Sequence, residues 1–270
     1  MTTDTAKTMK SPAPIVPWIG GKRRLLKSIL PLLPEHKTYV EPFAGGAAVF
    51  FGKPPAKVEI LNDCNGELIN LYRMVRSHSP ELLRLLGEIP YSRDEFKRLQ
   101  AENPATLTEC QRAARFYAIQ RMAFGAKVDN PTCGFDKNAD RTRLLDPQHQ
   151  RDALITAAAR LKRTQLESRD FEDILRRFDG PDTLFFCDPP YWQTEGYGVD
   201  FGLARYQALA DFTRQAKGKV LITVNDCPAM REVFGDLVID RQAIKYSIAV
   251  RRGEEYTETG ELFIANFRLE

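Results

Sequence analysis

The chain has few residues suited to holding a metal or to cross-linking itself. Its three histidines are scattered, and no pair of its five cysteines (Cys64, Cys110, Cys133, Cys187, Cys227) has metal-ligand spacing. An odd, dispersed set of thiols fits a reducing compartment, so no disulfide framework is expected. No apolar stretch approaches the ~20 residues needed to span a bilayer. The polar start, Met1 to Ser11, has no apolar signal core. These absences predict a soluble, cytoplasmic protein without a metal. The G-x-G-x-x-G fingerprint of dinucleotide enzymes is missing, which disfavours nicotinamide chemistry. There is no internal repeat and no low-complexity segment. Neither sign of charge dominates: the net charge is +3, which neither requires nor excludes nucleic acid.

With 270 residues, 43% of them hydrophobic and 28% charged, the chain is long and apolar enough for one large core, with room for an insertion. Strand signals at Thr38–Val40 and Val58–Leu61 alternate with helical spacing at Lys22–Leu33, Ala47–Phe51 and Glu67–Arg76. That βαβα pattern implies a parallel, helix-covered sheet. From about Ser77 to Arg163 the spacing becomes helical (Glu81–Leu86, Arg93–Leu99, Thr108–Met122, Pro147–Leu161), which reads as an insertion. The alternation then resumes with Gln165–Glu167, Phe171–Phe178, Leu184–Cys187, Tyr206–Gln215 and Val220–Val224. Leu237–Ile239, Ile244–Val250 and Leu262–Phe267 finish the sheet, the last two as an antiparallel pair. Basic residues crowd Lys22–Lys27 (with Arg23 and Arg24), Arg112–Lys127 (with Arg115 and Arg121), Arg141–Arg151 and Arg160–Arg163. They read either as a stripe that tracks phosphates or as solvated helix faces.

Asp188-Pro189-Pro190-Tyr191 follows directly on the apolar strand Leu184–Cys187. Proline cannot donate to a ladder, so the strand must end there. The chain leaves stiffly, presenting a carboxylate, backbone carbonyls and a ring at the rim where open α/β sheets bind ligands. Those groups suit a planar base bearing an amine. Phe43-Ala44-Gly45-Gly46 follows the first strand, its glycines allowing close backbone approach. Asp63 closes the second strand, where such folds place a ribose-binding acid; a helix N-cap is the alternative, with Asn65 competing for it. In Pro17-Trp18-Ile19-Gly20-Gly21-Lys22, Trp18 offers a face to a purine or a sulfonium, and Lys22 a cation to a carboxylate. Asp170-Phe171 follows the third strand, where a plain N-cap accounts equally well for Asp170.

In this order the motifs resemble those of Dam-like (D12 class) DNA adenine methyltransferases of phage and prophage type, over nearly the whole chain except the tail and much of the insertion. The resemblance implies a Rossmann-like S-adenosylmethionine-dependent methyltransferase fold, α/β, with a mainly helical target-recognition insertion. Residues 15–76 and 164–270 would form the catalytic domain, 77–163 the recognition domain and 1–14 a flexible tail. The resemblance further implies that Asp188, Pro189, Pro190 and Tyr191 are catalytic. Trp18, Lys22, Phe43, Gly45, Gly46, Asp63, Asp170, Phe171 and Asp188 would hold S-adenosylmethionine, Asp170 and Phe171 at its adenine. Arg121 and Lys127 would contact double-stranded DNA. It implies a monomer, with a dimer on DNA as the alternative. Asp at the first motif position favours adenine over cytosine, where a Ser would be expected, and over protein glutamine, where an Asn would be. A non-catalytic DNA-binding module on the same scaffold is the reading from another class.

Overall fold

The structure, a computed structural model, describes residues 13–123, 134–136, 145–193, 201–244 and 259–269. The expected tail residues 1–12, Lys127, most of the loop after Tyr191 (194–200) and strand residues 245–250 lie outside that range.

The first helix signal resolves into three short pieces: a 3₁₀ turn Lys22–Leu25, α1 (Leu26–Ile29) and a 3₁₀ turn Leu30–Leu32. Pro31, which has no N–H to give, accounts for the break. There follow β1 (Thr38–Glu41), α2 (Ala48–Gly52), β2 (Val58–Asn62) and α3 (Gly66–Gly87). The spacing predicts two helices where α3 runs on; the interruption survives as a kink at His78, whose backbone is non-helical, two residues before Pro80. Next come α4 (Arg93–Ala101), α5 (Glu109–Met122), α6 (Pro147–Leu161), β3 (Gln165–Glu167), α7 (Phe171–Phe178) and β4 (Thr183–Cys187). Then α8 (Leu203–Gln215), β5 (Lys219–Asn225), α9 (Pro228–Val233), β6 (Val238–Ile244) and β7 (Thr259–Ala265) complete the described elements.

The strands form one sheet in the order β3-β2-β1-β4-β5-β7-β6. The first five are parallel neighbours, with Val40 opposite both Ile60 and Phe185. β7 inserts antiparallel between β5 and β6. The expected pairing of 244–250 with 262–267 is thus replaced, over the described residues, by pairing of Val238–Ile244 with Thr259–Ala265. β6 is the outer strand, which explains why Asp240 and Arg241 interrupt its apolar pattern. Side chains alternate across the sheet. Tyr39, Leu61, Leu184, Phe186 and Phe263 face one core; Val40, Ile60, Phe185, Cys187, Ile222 and Ile264 face the other. The second core is closed by α7, α8 and α9.

Helices α5 and α6 pack on α3, and their Tyr117, Met122, Leu154 and Leu161 join the first core. The inserted helices therefore extend the core of the sheet. This placement also breaks up the basic stripe. Arg160 pairs with buried Glu59, Arg112 pairs with Glu67, and Arg115 donates to the carbonyls of Leu99 and Gln100. No described helix is long and apolar enough to cross a membrane.

β1 lies between β2 and β4, so the chain turns outward in opposite directions after β1 and after β4. Such a switch point opens a crevice at the carboxyl ends of the two strands, where the Phe43–Gly46 turn and Asp188–Tyr191 face each other.

Candidate active site

The turn after β1 is built tightly. Gly45 has φ +46°, a backbone that L side chains rarely adopt, and a Cβ there would lie 2.7 Å from the Trp18 indole nitrogen. Trp18 thus lies directly on the glycine turn. Tyr72, from α3, donates its hydroxyl to the Gly45 carbonyl at 2.6 Å. Asp63 accepts from the Gly45 N–H and the Asn65 N–H, both at 2.9 Å. Asn65 is the cap of α3, accepting from the N–H groups of Glu67 and Leu68. Asp63 is therefore released from capping and lines the crevice.

Across the crevice, the Asp188 side chain is 20% exposed. Its Oδ1 accepts from Lys22 Nζ at 2.5 Å and from the Thr223 hydroxyl at 3.0 Å. Its Oδ2 has no partner among the described residues, nor has the Pro189 carbonyl. The Pro190 carbonyl accepts from the Tyr206 hydroxyl of α8. Trp192 is held by the Asn225 side-chain amide, which accepts from its N–H at 3.1 Å and donates to its carbonyl at 3.3 Å. Lys22, 2% exposed, also donates to Tyr191 Oη at 2.8 Å and to the Gly20 carbonyl at 3.1 Å, and lies 3.4 Å from buried Glu261. The Tyr191 hydroxyl donates to Glu261. Tyr191 is thereby fixed at its hydroxyl.

Between these walls lies a cavity of 350 Å³, within the range of small-molecule sites. Trp18, Lys22, Phe43, Gly45, Gly46, Asp63, Arg121, Asp188 and Pro189 line it, with Glu41 at the end of β1. Glu41 accepts the Tyr39 hydroxyl at 2.6 Å and the Phe50 N–H at 2.7 Å, both on one oxygen. Burial pushes its carboxyl up to about 8, against those two bonds. Burial likewise raises Asp188, with Lys22 and Thr223 pulling the other way. Asp63 is raised by burial against the N–H groups of Asn65 and Gly45.

The fold thus brings together most of the residues that the sequence singled out. Asp170, Phe171 and Tyr191 stand outside the cavity lining. Asp170 caps α7, accepting the Glu172 N–H at 2.9 Å, and pairs with Arg205. Phe171 is buried with its ring 5.0 Å from that of Phe43. Arg121, at the end of α5, sits in the cavity wall; it donates to the Ile15 carbonyl and lies over the Tyr117 ring at 5.1 Å. Sequence reasoning gave no role to Glu41, Thr223, Asn225, Tyr206 or Glu261. Glu41 did carry a signal: it is an acid at the carboxyl end of a buried strand.

A family model, D12 class N6 adenine-specific DNA methyltransferase, matches residues 18–250, most of the chain. The chain belongs to this family. The D12 match covers both walls of the crevice. Among similar proteins, a DNA N-6-adenine-methyltransferase of Escherichia phage P1 is 30% identical over 82% of this chain and 31% of its own length. The chain therefore spans about a third of that phage protein. A type II methyltransferase of Lactococcus lactis subsp. cremoris is 32% identical over 84% of this chain and 86% of its own. A type II methyltransferase of Paramecium bursaria Chlorella virus NC1A is 27% identical over 94% and 99%, respectively. As a D12 member, this chain is an adenine-specific DNA methyltransferase, and the family implies S-adenosylmethionine as methyl donor and DNA as substrate.

Proposed function

We propose that Asp188 Oδ2 and the Pro189 carbonyl receive the two N–H groups of a target adenine's 6-amino group, beside a donor seated in the 350 Å³ cavity. The observation that carries this reading is the pattern of occupied and open acceptors. Asp188 Oδ1 and the Pro190 carbonyl are taken by protein donors, and their neighbours are open. An exocyclic amine is a poor nucleophile because its lone pair is shared with the ring. Two acceptors localise that pair and aim it into the cavity, and catalysis then rests largely on positioning. Tyr191 stacks on the base, and Trp192 forms the adjoining wall.

The cavity suits S-adenosylmethionine, which supplies a methyl group on a sulfonium when bound. Trp18 packs so closely on Gly45 that a Cβ there would strike its indole, and the two together form a cradle in the cavity wall. Asp63 offers carboxylate oxygens to ribose hydroxyls, while Gly45, Gly46, Phe43 and Trp18 hold the rest. As placed, Lys22 serves Asp188, and its role toward the donor is indirect. Phe171 backs Phe43, and Asp170, next to it in the chain, caps α7 and pairs with Arg205. The target nucleotide must leave the duplex stack to reach these atoms, at a cost of roughly a few kcal/mol. Residues 77–163 serve as the target-recognition part, 15–76 and 164–270 as the catalytic part. Arg121 and Lys127 serve as phosphate contacts, and the protein acts on duplex DNA as a monomer.

The test is to incubate the protein with S-adenosylmethionine and unmethylated genomic DNA and to map modified bases by single-molecule sequencing. N6-methyladenine in one short motif, lost in D188A that still binds donor, is the expected result. Undiminished methylation by D188A would remove the proposed role of the carboxylate.

A further inference from the structure

We propose that Glu261 is a positioning residue of the methyl transfer: by taking the Tyr191 hydroxyl and sharing the Lys22 ammonium, it keeps one oxygen of Asp188 open for the target amine. This rests on the assignment of Asp188 as acceptor of that amine.

The geometry gives Glu261 this part. It stands on β7, hydrogen-bonded to strands on both sides, so its backbone is held by two ladders. It is fully buried. Its Oε1 lies 3.4 Å from Lys22 Nζ and accepts the Tyr191 hydroxyl, whose own oxygen accepts from Lys22. The sense of the chain is therefore set: Lys22 donates to Tyr191, and Tyr191 donates to Glu261. Without an acceptor at 261 the phenol proton would turn to the other carboxylate on the same ammonium, Asp188. That would occupy the acceptor the amine requires and swing the ring meant to stack on the base. The same ammonium also stands 4.6 Å from the centre of the Tyr191 ring, so Lys22 grips both ring and hydroxyl.

Among the described residues, Lys22, Asp188 and Tyr191 are ionisable groups that face Glu261; its ladder partners on β5 and β6, Asn225 and Gln242, carry no charge. One buried cation thus serves two buried carboxylates. Burial raises the Glu261 carboxyl, and Asp188 raises it further while Lys22 opposes both. Removing the charge at 261 takes away a competitor for Lys22 and a negative neighbour of Asp188, which lowers the pH at which Asp188 takes up a proton.

The test uses E261M, which keeps size but removes both the acceptor for the Tyr191 hydroxyl and the charge, with the whole chain on duplex DNA. The expected result is a kcat about tenfold lower, donor Kd within about twofold, and an acid limb of the kcat profile displaced to lower pH. In a double-mutant cycle with Y191F, the combined variant should lose no more than about threefold beyond the worse single one, because both act on one chain of contacts. An E261M enzyme with unchanged kcat and pH profile, or fully multiplicative losses in the cycle, would overturn the proposal. If E261M does not fold, E261D, which keeps the charge but retracts the acceptor by one methylene, enters the same cycle and is judged by kcat and by the cycle alone. A wild-type protein without N6-methyladenine formation would instead defeat the assignment of Asp188 beneath it.

Discussion

Two buried ion clusters flank β1, and they are balanced in opposite ways. On the side away from the crevice, Glu59 meets two cations: Lys53 at 2.7 Å and Arg160, from α6, at 2.8 Å. Arg160 also donates to the Phe50 carbonyl at 2.9 Å and lies over its ring at 3.7 Å, while Lys53 lies over the Tyr39 ring at 4.2 Å. Burial works to raise the Glu59 carboxyl, but hydrogen bonds from Arg160 and Lys53 outweigh it and hold it below the usual range. At the crevice the described ratio is inverted: Lys22 is shared by Asp188 and Glu261, and burial prevails in both, raising them. The cation-rich cluster has every oxygen of its carboxylate engaged and ties an inserted helix to the sheet. The cation-poor cluster leaves an acceptor open. The same chemistry makes a fastening in one place and a reactive wall in the other, and the difference is the count of charges.

The contrast is broken most severely at Lys22. K22M leaves two buried carboxylates without their cation, so Asp188 takes up a proton at higher pH. Turnover at pH 7 should fall about 100-fold, the scale of a positioned catalytic group. Activity should partly return as the pH is raised, and a kcat–pH profile with an unmoved acid limb would contradict the shared-cation account. R160M should do the reverse. Taking one partner from a buried pair costs about 3–5 kcal/mol, read as a lower denaturation midpoint, while kcat of the folded enzyme stays within about twofold. A kcat loss on the scale of K22M would erase the distinction between the clusters. G45A probes the donor wall independently. Positive φ and the contact with Trp18 predict displacement of the indole, and donor Kd should rise about tenfold, or 1.4 kcal/mol. Unaltered donor affinity would show that the cradle is not part of the donor site.

The sequence made one of these clusters partly legible and the other not at all. Asp188, Lys22, Trp18 and the glycine turn sit at strand ends beside prolines and glycines, where local backbone rules confine what a residue can do. The alternation of β1, β2, β4 and β5 with helices was readable for the same reason, since period and punctuation are local properties. Glu261, Thr223 and Arg160 gain their partners only when distant segments meet across the sheet. A single acid before Leu262-Phe263-Ile264 has no local feature to say which strand it will lie beside. The antiparallel insertion of β7 between β5 and β6 decides that, and the apolar pattern fits several pairings equally well. The basic stripe stayed open between its two readings, because charge counted along the chain does not reveal which arginines will find acids and carbonyls, as Arg160, Arg112 and Arg115 do.

Glu41 stands between the two clusters and gives the finest test of their difference. It is buried at the end of β1, and its carboxyl is raised from 4.5 to about 8. A group whose folded value lies above its unfolded one holds its proton in the folded state after the unfolded chain has lost it. Its contribution to stability is therefore full below about pH 4.5 and is lost as pH rises toward 8, at up to about 1.4 kcal/mol per pH unit. E41Q keeps an oxygen for Tyr39 and Phe50 and has no proton to lose. The stability of E41Q relative to wild type should therefore climb steadily from pH 5 to pH 8, measured by denaturant unfolding at each pH. Parallel curves would mean that Glu41 is ionised in the folded protein. A third buried carboxylate would then share the charge balance near Lys22, and the cluster at the crevice would be poorer in cations than Asp188 and Glu261 alone make it.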